Sequence, residues 1–346
     1  MTRSWTTRAL NVSTKGASRP AAIFLQSTMS EQALPAVDVD CLKTDQLRAY
    51  RIVTWHLSET LRGSNVPPLR MVLYGEGGTG KSRVIQTITE AFAACGVSDM
   101  LMKAAYTGVA ASLVGGKTTH VVGSMSLGSK EDVSDAAKKK LQEFWRTIRY
   151  LIIDKYSMLS KSFLVALSRN ISIGMEGSQG FQPGMSFGGL NVILCGDLHQ
   201  FPPVACRKRE PLYYPVSTGD LTTLQVGRKI YEEFTTVVIL GEQMQVTDHV
   251  WRDFLDHLRH GRVEPQHLKM LRTLLLKRQT PDSTQTHSSN TPSSPDPDPI
   301  ETIDTSINFS TQPWGDASLI TPRHAVRTRW NQAATQKWST QEWQKT

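Results

Sequence analysis

The stretch MVLYGEGGTGKSRVIQTITEAF, residues 71–92, decides how the chain folds. It opens on an apolar run, Met71–Tyr74. It then passes through Gly75–Ser82 with the spacing G-x-x-x-x-G-K-S and continues with Val84, Ile85, Ile88 and Phe92 on one helical face. A strand, a glycine-rich turn and an amphipathic helix in this order form a loop whose backbone N–H groups close around phosphate. Gly77, Gly78 and Gly80, with Thr79 between them, let the backbone bend where a Cβ would obstruct it. The helix N-terminus adds the positive end of its dipole. Lys81 is placed to reach the β- and γ-phosphates and the Ser82 hydroxyl to ligate Mg²⁺. Gly96 is placed to end the helix.

Working outward, Met100–Ala105, Tyr150–Ile153 and Leu190–Cys195 are apolar for most of their length, as strands buried on both faces of a parallel sheet should be. With mixed helical segments between them they predict an α/β sheet with right-handed crossovers. Two runs end in side chains suited to the phosphate site. LIID, Leu151–Asp154, delivers Asp154 as the acidic ligand for the metal. NVILC leads into GDLHQFPPV, Gly196–Val204, which sets Asp197 and Gln200 at a strand's carboxyl end, where open α/β sheets bind ligands. A glutamine there can orient water or sense a γ-phosphate.

Further along, Thr236–Leu240 is another apolar run. Val250–Arg259 predicts a helix with Trp251, Phe254, Leu255 and Leu258 inward, and His267–Leu276 a second with Leu268, Leu271 and Leu275 inward. Residues 279–299 are almost purely Ser, Thr, Pro, Asp, Gln and Asn, the composition of a linker or surface insertion. A strand at Ala317–Thr321 and a helix at Pro322–Lys337 follow. Residues 1–30 contain no acidic residue and four basic ones, the composition of a mitochondrial transit peptide or of a disordered basic tail.

The 346 residues carry 39 Lys and Arg against 31 Asp and Glu, a net +8 that suits a polyanionic partner. Four scattered cysteines without a C-x-x-C pair exclude a disulfide scaffold and a cysteine zinc site. No run approaches the ~18 apolar residues of a membrane span, so no membrane association is expected.

With these elements assembled, the sequence resembles the petite-integration-frequency (Pif) family of superfamily-one DNA helicases, most closely the copies carried by fungal Helitron-type transposons. Gln46 in LKTDQLRAY lies where that family reads adenine. TGVAAS, Thr107–Ser112, with GKTTH, Gly116–His120, is similar to its motif Ia, which implies contacts of Thr107, Gly108 and His120 with single-stranded DNA. SFGGLNVILCGDLHQFPPV, Ser186–Val204, resembles its motif III with the preceding family signature, and LGEQMQVTDHVWRDFLDHLRHGR, Leu240–Arg262, its entry into a second domain. ASLITPRHAVRTRWN, Ala317–Asn331, resembles a later unit of that domain.

The resemblance implies an α/β P-loop NTPase. A RecA-like ATPase domain would span 41–206 after a basic tail at 1–40. An incomplete second RecA-like domain would begin at 207–278 and resume at 313–346 after a linker at 279–312. It also implies ATP and Mg²⁺ as cofactors, single-stranded DNA or DNA with a 5′ overhang as partner, 5′-to-3′ movement, and a nuclear or mitochondrial location. Arg207–Arg209, Arg252, Arg259 and Arg262 are candidate contacts to DNA phosphate.

Three departures bear on activity. Asp154 is followed by Lys155, where the family has the glutamate that positions the attacking water. Loss of such a base typically costs ~10²–10⁴-fold. Gln245 in GEQMQ stands where the family has an arginine reaching the γ-phosphate, a group worth roughly 10³–10⁵ in rate. The chain also stops at Thr346, before the family's last motifs, so the second domain is expected to be incomplete. Both catalytic changes are reachable by single G-to-A mutations, as in a decaying transposon copy.

Overall fold

A computed structural model describes residues 35–124, 135–273, 323, 325–332 and 335. They fall into two units, divided after Val263. The first contains β1 (Arg70–Gly75), β2 (Leu101–Ala105), β3 (Lys117–Thr118), β4 (Tyr150–Asp154), β5 (Asn191–Gly196) and β6 (Thr236–Leu240). Its helices are α1 (Thr44–Leu61), α2 (Lys81–Ala94), α3 (Gly108–Leu113), α4 (Thr119–Val122), α5 (Asp135–Trp145), α6 (Lys161–Met175), α7 (Thr222–Glu232) and α8 (His249–Arg259).

All six strands run parallel in the order β3-β2-β4-β5-β1-β6. The apolar runs have the period-two consequence expected of a sheet covered on both faces. Met71, Leu73, Tyr150, Ile152, Ile193 and Cys195 pack with Val53, Leu57, Ile85, Ile88 and Phe92 of α1 and α2. Val72, Leu151, Ile153, Val192 and Leu194 turn the other way, against Leu141, Trp145, Leu164, Leu167 and Ile171 of α5 and α6. The α/β RecA-like P-loop architecture expected from the sequence is the one observed.

The register aligns the carboxyl ends. Gly75 pairs with Leu240, Tyr74 with Gly196, Asp154 with Cys195, and Ala105 with Asp154. The loops that follow β1, β2, β4, β5 and β6 therefore open on one edge of the sheet. At the opposite end, Arg70 is 8% exposed and donates to the carbonyls of Leu190 and Ser186, while Asn191 accepts from the Leu69 amide at 2.8 Å. The guanidinium also lies over the Phe187 ring, 5.4 Å from its centroid.

The sheet does not end where the sequence set the first domain's boundary, at 206/207. β6, at 236–240, is hydrogen-bonded to β1, and the first unit runs on to Val263. The two partners lie more than 160 residues apart, so the apolar run at 236–240 had no local sign of its sheet. Along α8 only Phe254 of the expected inward set is buried, and Leu258 is 52% exposed. The end of that helix turns Arg259 rather than Leu258 toward the sheet, for an electrostatic reason given below.

In the second unit, α9 (Pro265–Thr273) covers the first part of the helix expected at His267–Leu276. His267 is buried and Leu268 exposed, the reverse of the expected pattern. The His267 Nδ1 accepts from the Glu264 amide at 3.1 Å, so the ring folds back to cap the helix start. Residues 325–332 are helical, within the helix expected at Pro322–Lys337. The tail at 1–30, the linker at 279–312 and the strand at Ala317–Thr321 lie outside the described residues. Among the described residues, no helix is long and apolar enough to cross a membrane.

Candidate functional site

The loop between β1 and α2 has the shape the glycine spacing requires. Gly78 and Gly80 sit at φ +85° and +86°, a region open to glycine and costly for side chains. Gly80 is the N-cap of α2. The Lys81 ammonium donates to the carbonyls of Gly75 and Glu76, both at 2.7 Å. Thr79 is 2% exposed, with its hydroxyl on the Glu76 carbonyl. It shapes the loop from within rather than facing a ligand.

Gln46, expected at the adenine, lies behind this loop. Its Nε2 donates to the Thr79 carbonyl at 3.0 Å and its Oε1 accepts from the Lys43 amide at 3.1 Å. The Nε2 braces the loop from α1, while the Oε1 caps the start of α1 itself.

In front of the loop lies a cavity of about 370 Å³. It is lined by Gly77, Gly78, Gly80, Lys81, Ser82 and Arg83, by Asp154 and Lys155 at the end of β4, and by Met244 and Gln245. The expected phosphate-binding residues other than Thr79 and three of the four expected catalytic side chains besides Lys81, namely Asp154, Lys155 and Gln245, thus face one space. Gln200 joins through Lys155, whose Nζ donates to its Oε1 at 3.1 Å. The segment that carries Gln245 lies on the glycine loop. Gln243 donates to the Gly77 carbonyl at 2.7 Å and the Met244 amide to that of Gly78 at 2.9 Å.

The electrostatics follow from depth and neighbours. Asp154 is 5% exposed, and burial raises its carboxyl above the ordinary range, against the opposing pull of Lys155 and Lys81. Burial lowers the Lys81 amine, the Lys155 charge lowers it further, and Asp154 and Asp197 oppose both. Ser82 and Asp154 bring a hydroxyl and a carboxylate to the same cavity, the hard oxygen donors that suit Mg²⁺.

One contributor was named in the sequence for another role. Arg259, at the end of α8, donates to both carboxylate oxygens of Asp197 and to the Tyr74 hydroxyl, and pairs with Glu76 at 2.9 Å. Burial alone would raise the Asp197 carboxyl, but the Arg259 hydrogen bonds, the His199 amide and the nearby cations carry it below its ordinary value. Arg259 was expected at DNA phosphate; these three partners occupy it instead. Of the other candidate arginines, Arg209 pairs with Asp220 at 2.8 Å and Arg252 donates to the Val246 carbonyl at 2.7 Å.

The residues expected at DNA lie beyond β2 and β3. Thr107 caps α3, accepting from the Ala110 amide, and Gly108 is exposed beside it. His120 packs edge-to-face on Tyr106 and Phe163, with centroids 5.1 and 4.9 Å away. None of the three lines the phosphate cavity.

A parallel sheet whose first strand feeds a glycine-rich loop, with Lys81 and Ser82 facing Asp154 across one cavity, defines the fold of a RecA-like P-loop NTPase domain. The family model described as PIF1-like helicase matches residues 42–217, and the chain belongs to that family. The ATP-dependent DNA helicase RRM3 of Saccharomyces cerevisiae is 28% identical over 206 residues, 58% of this chain and 26% of the relative. The ATP-dependent DNA helicase PIF1 of Danio rerio is 28% identical over 221 residues, 59% of this chain and 31% of the relative. The crystal structure of Pif1 helicase from Candida albicans aligns with a TM-score of 0.50 at 25% identity, covering 70% of this chain and 49% of that one. The chain thus spans about a quarter to a third of the length of these curated relatives.

Proposed function

We propose that this chain is the nucleotide-binding part of an ATP-dependent DNA helicase. It would bind Mg-ATP and move 5′ to 3′ on single-stranded DNA or DNA with a 5′ overhang, with hydrolysis slowed by Lys155 and Gln245. The observation that carries this reading is the meeting of Lys81, Ser82 and Asp154 at one cavity in a chain of the PIF1-like helicase family. Lys81 and the loop amides would hold the phosphates, while Ser82 and Asp154 would hold Mg²⁺, which supplies Lewis-acid charge at the γ-phosphate. The adenine role of Gln46 and the DNA roles of Thr107, Gly108 and His120 rest on the sequence resemblance.

Lys155 replaces an acceptor by a donor. It cannot take a proton from water while protonated, and its ammonium is already directed at Gln200. Gln245 brings no positive charge to the γ-phosphate. These two changes support a second reading, a catalytically inactive ATP- and DNA-binding relic of a Helitron-type transposon. Location in the nucleus or mitochondrion belongs to both readings.

ATP turnover by the purified chain, with and without single-stranded DNA, tests the assignment when nucleotide binding is measured in the same sample. Binding with slow, DNA-stimulated turnover supports the helicase reading. Binding without turnover supports the relic. Absence of nucleotide binding overturns both.

A further inference from the structure

Two histidines flank the pairing of Arg259 with Asp197. His199 is two residues beyond Asp197 in the loop after β5, and His260 directly follows Arg259 at the end of α8. Their ring centroids lie 6.5 Å apart, with the planes tilted by 58°. The two guanidinium hydrogen bonds to Asp197 fix the distance between these segments. Asp197 also accepts from the His199 amide at 3.0 Å. The spacing of the rings is therefore set by the fold on both sides.

On each ring the Nδ1 atom faces an acceptor. The His260 Nδ1 lies 2.8 Å from the Asp256 carbonyl, with the Asp256 carboxylate at 3.6 Å. The His199 Nδ1 lies 3.4 Å from the Tyr74 hydroxyl and 3.6 Å from the Asp197 carboxylate. A carbonyl or carboxylate at Nδ1 favours the ring hydrogen there and leaves the lone pair on Nε2. Ligating histidines carry this kind of backing behind a metal. The two side chains are 52% and 47% exposed, which leaves an ion access to them.

Two rings that share an ion through nitrogens at about 2.0–2.1 Å have centroids roughly 5–6.5 Å apart, according to the angle at the metal. The observed separation is at the wide end of this range, and rotation of either half-exposed side chain narrows it. The surrounding charge does not oppose a cation. Arg259 is paired with Asp197 and Glu76, and Asp256 adds a further carboxylate beside His260.

We propose that His199 and His260 together bind a divalent transition metal of the Zn²⁺ type, with water in its remaining positions. Imidazole nitrogens favour such ions, whereas Mg²⁺ takes oxygen donors, so this pair differs in chemistry from Ser82 and Asp154. An ion held here ties the loop that carries Asp197 and Gln200 to the end of α8, beside the link Arg259 already makes.

The site is tested by calorimetric titration of the full 346-residue chain with Zn²⁺ in excess Mg²⁺, with thermal melts in the presence and absence of Zn²⁺. Zn²⁺ is expected to bind and to raise the melting temperature, since it prefers the folded chain. His199→Gln and His260→Gln are each expected to weaken binding by about tenfold or more and to remove the rise in melting temperature. The double variant should weaken binding little further than either single, because one lost ligand already breaks the bridge. His257→Gln is the control from the same helix, where the ring faces the Asp253 carbonyl at 2.9 Å. It should bind Zn²⁺ within about threefold of the unmodified chain. Unchanged affinity in either single variant, losses that simply add in the double variant, or a loss in His257→Gln as large as in His260→Gln overturns the proposal.

Discussion

Arg259 holds the Asp197 carboxylate with two parallel hydrogen bonds, Nη1 to Oδ2 at 2.8 Å and Nη2 to Oδ1 at 2.7 Å. The same guanidinium pairs through Nε with Glu76 of the phosphate loop. One side chain from α8 thereby fixes the loop after β5 against the loop after β1. Asp197 is 2% exposed, so removing its partner strands a buried charge. Arg259→Ala should lower the unfolding free energy by about 3 kcal/mol. Arg259→Lys should recover only part, because an ammonium cannot span both oxygens. Urea denaturation checks both, and an Asp197→Asn, Arg259→Ala double variant should lose less than the sum of the singles.

The His56 ring links α1 to the start of β4. Its Nδ1 lies 2.8 Å from the Tyr150 hydroxyl and its Nε2 is 3.0 Å from the Pro67 carbonyl, which it meets as a donor. Burial lowers its pKa below the ordinary 6.5, against the opposing Pro67 hydrogen bond. The folded state therefore prefers the neutral ring. Its contribution is fully present above pH 6.5 and is lost as pH falls from there through the lowered folded-state value. Stability measured by denaturation across this acid window should decline. A His56→Gln variant, neutral throughout, should lack that part of the slope.

Lys161 has no exposed surface, and its ammonium donates to the carbonyls of Arg209 at 2.7 Å and Tyr214 at 2.5 Å. It pins the long connection between β5 and α7 to the first turn of α6. Lys161→Met keeps the volume but leaves two carbonyls without their donor, at a cost of about 1–3 kcal/mol. Trypsin should then cut faster at Arg207 and Lys208, which are exposed in that connection. Unchanged cleavage would mean the connection holds without the lysine.

Gly78 has no room for a methyl group. A Cβ there would lie 2.0 Å from the Gln243 side-chain oxygen and 2.9 Å from the Gln245 Cβ, at a φ of +85°. Gly78→Ala should displace the 243–245 segment and distort the phosphate cradle. ATP affinity is expected to fall by about tenfold or more, while the backbone conflict costs roughly 1 kcal/mol of stability. Titration with ATP and a thermal melt separate the two effects.

Much of this was legible in residues 71–92 and in the apolar runs. Strands buried on both faces read as continuous apolar text, and the glycines of a phosphate loop fall at fixed spacing. β4 and β5 start within a residue of expectation for that reason. What stayed hidden depends on contacts across long separations. The pairing of β6 with β1 has no local pattern, and neither has the seat of the 243–245 segment on Gly77 and Gly78. Arg259 carries the same composition as any exposed helix-end arginine, and only folding brings it to Asp197. Gln46 was found by motif, yet its amide braces the Thr79 carbonyl.

Ser186–Asn191 sits at the foot of the sheet, a full strand length from the phosphate loop, and Arg70 and the Leu69 amide hold it through carbonyls and an amide side chain. This stretch is architecture. Damage there would register first as a poor yield of soluble chain, and turnover per folded molecule would be spared. A screen that scores only bulk activity would mistake such a folding defect for a chemical one. Normalising each variant to its folded fraction tells them apart.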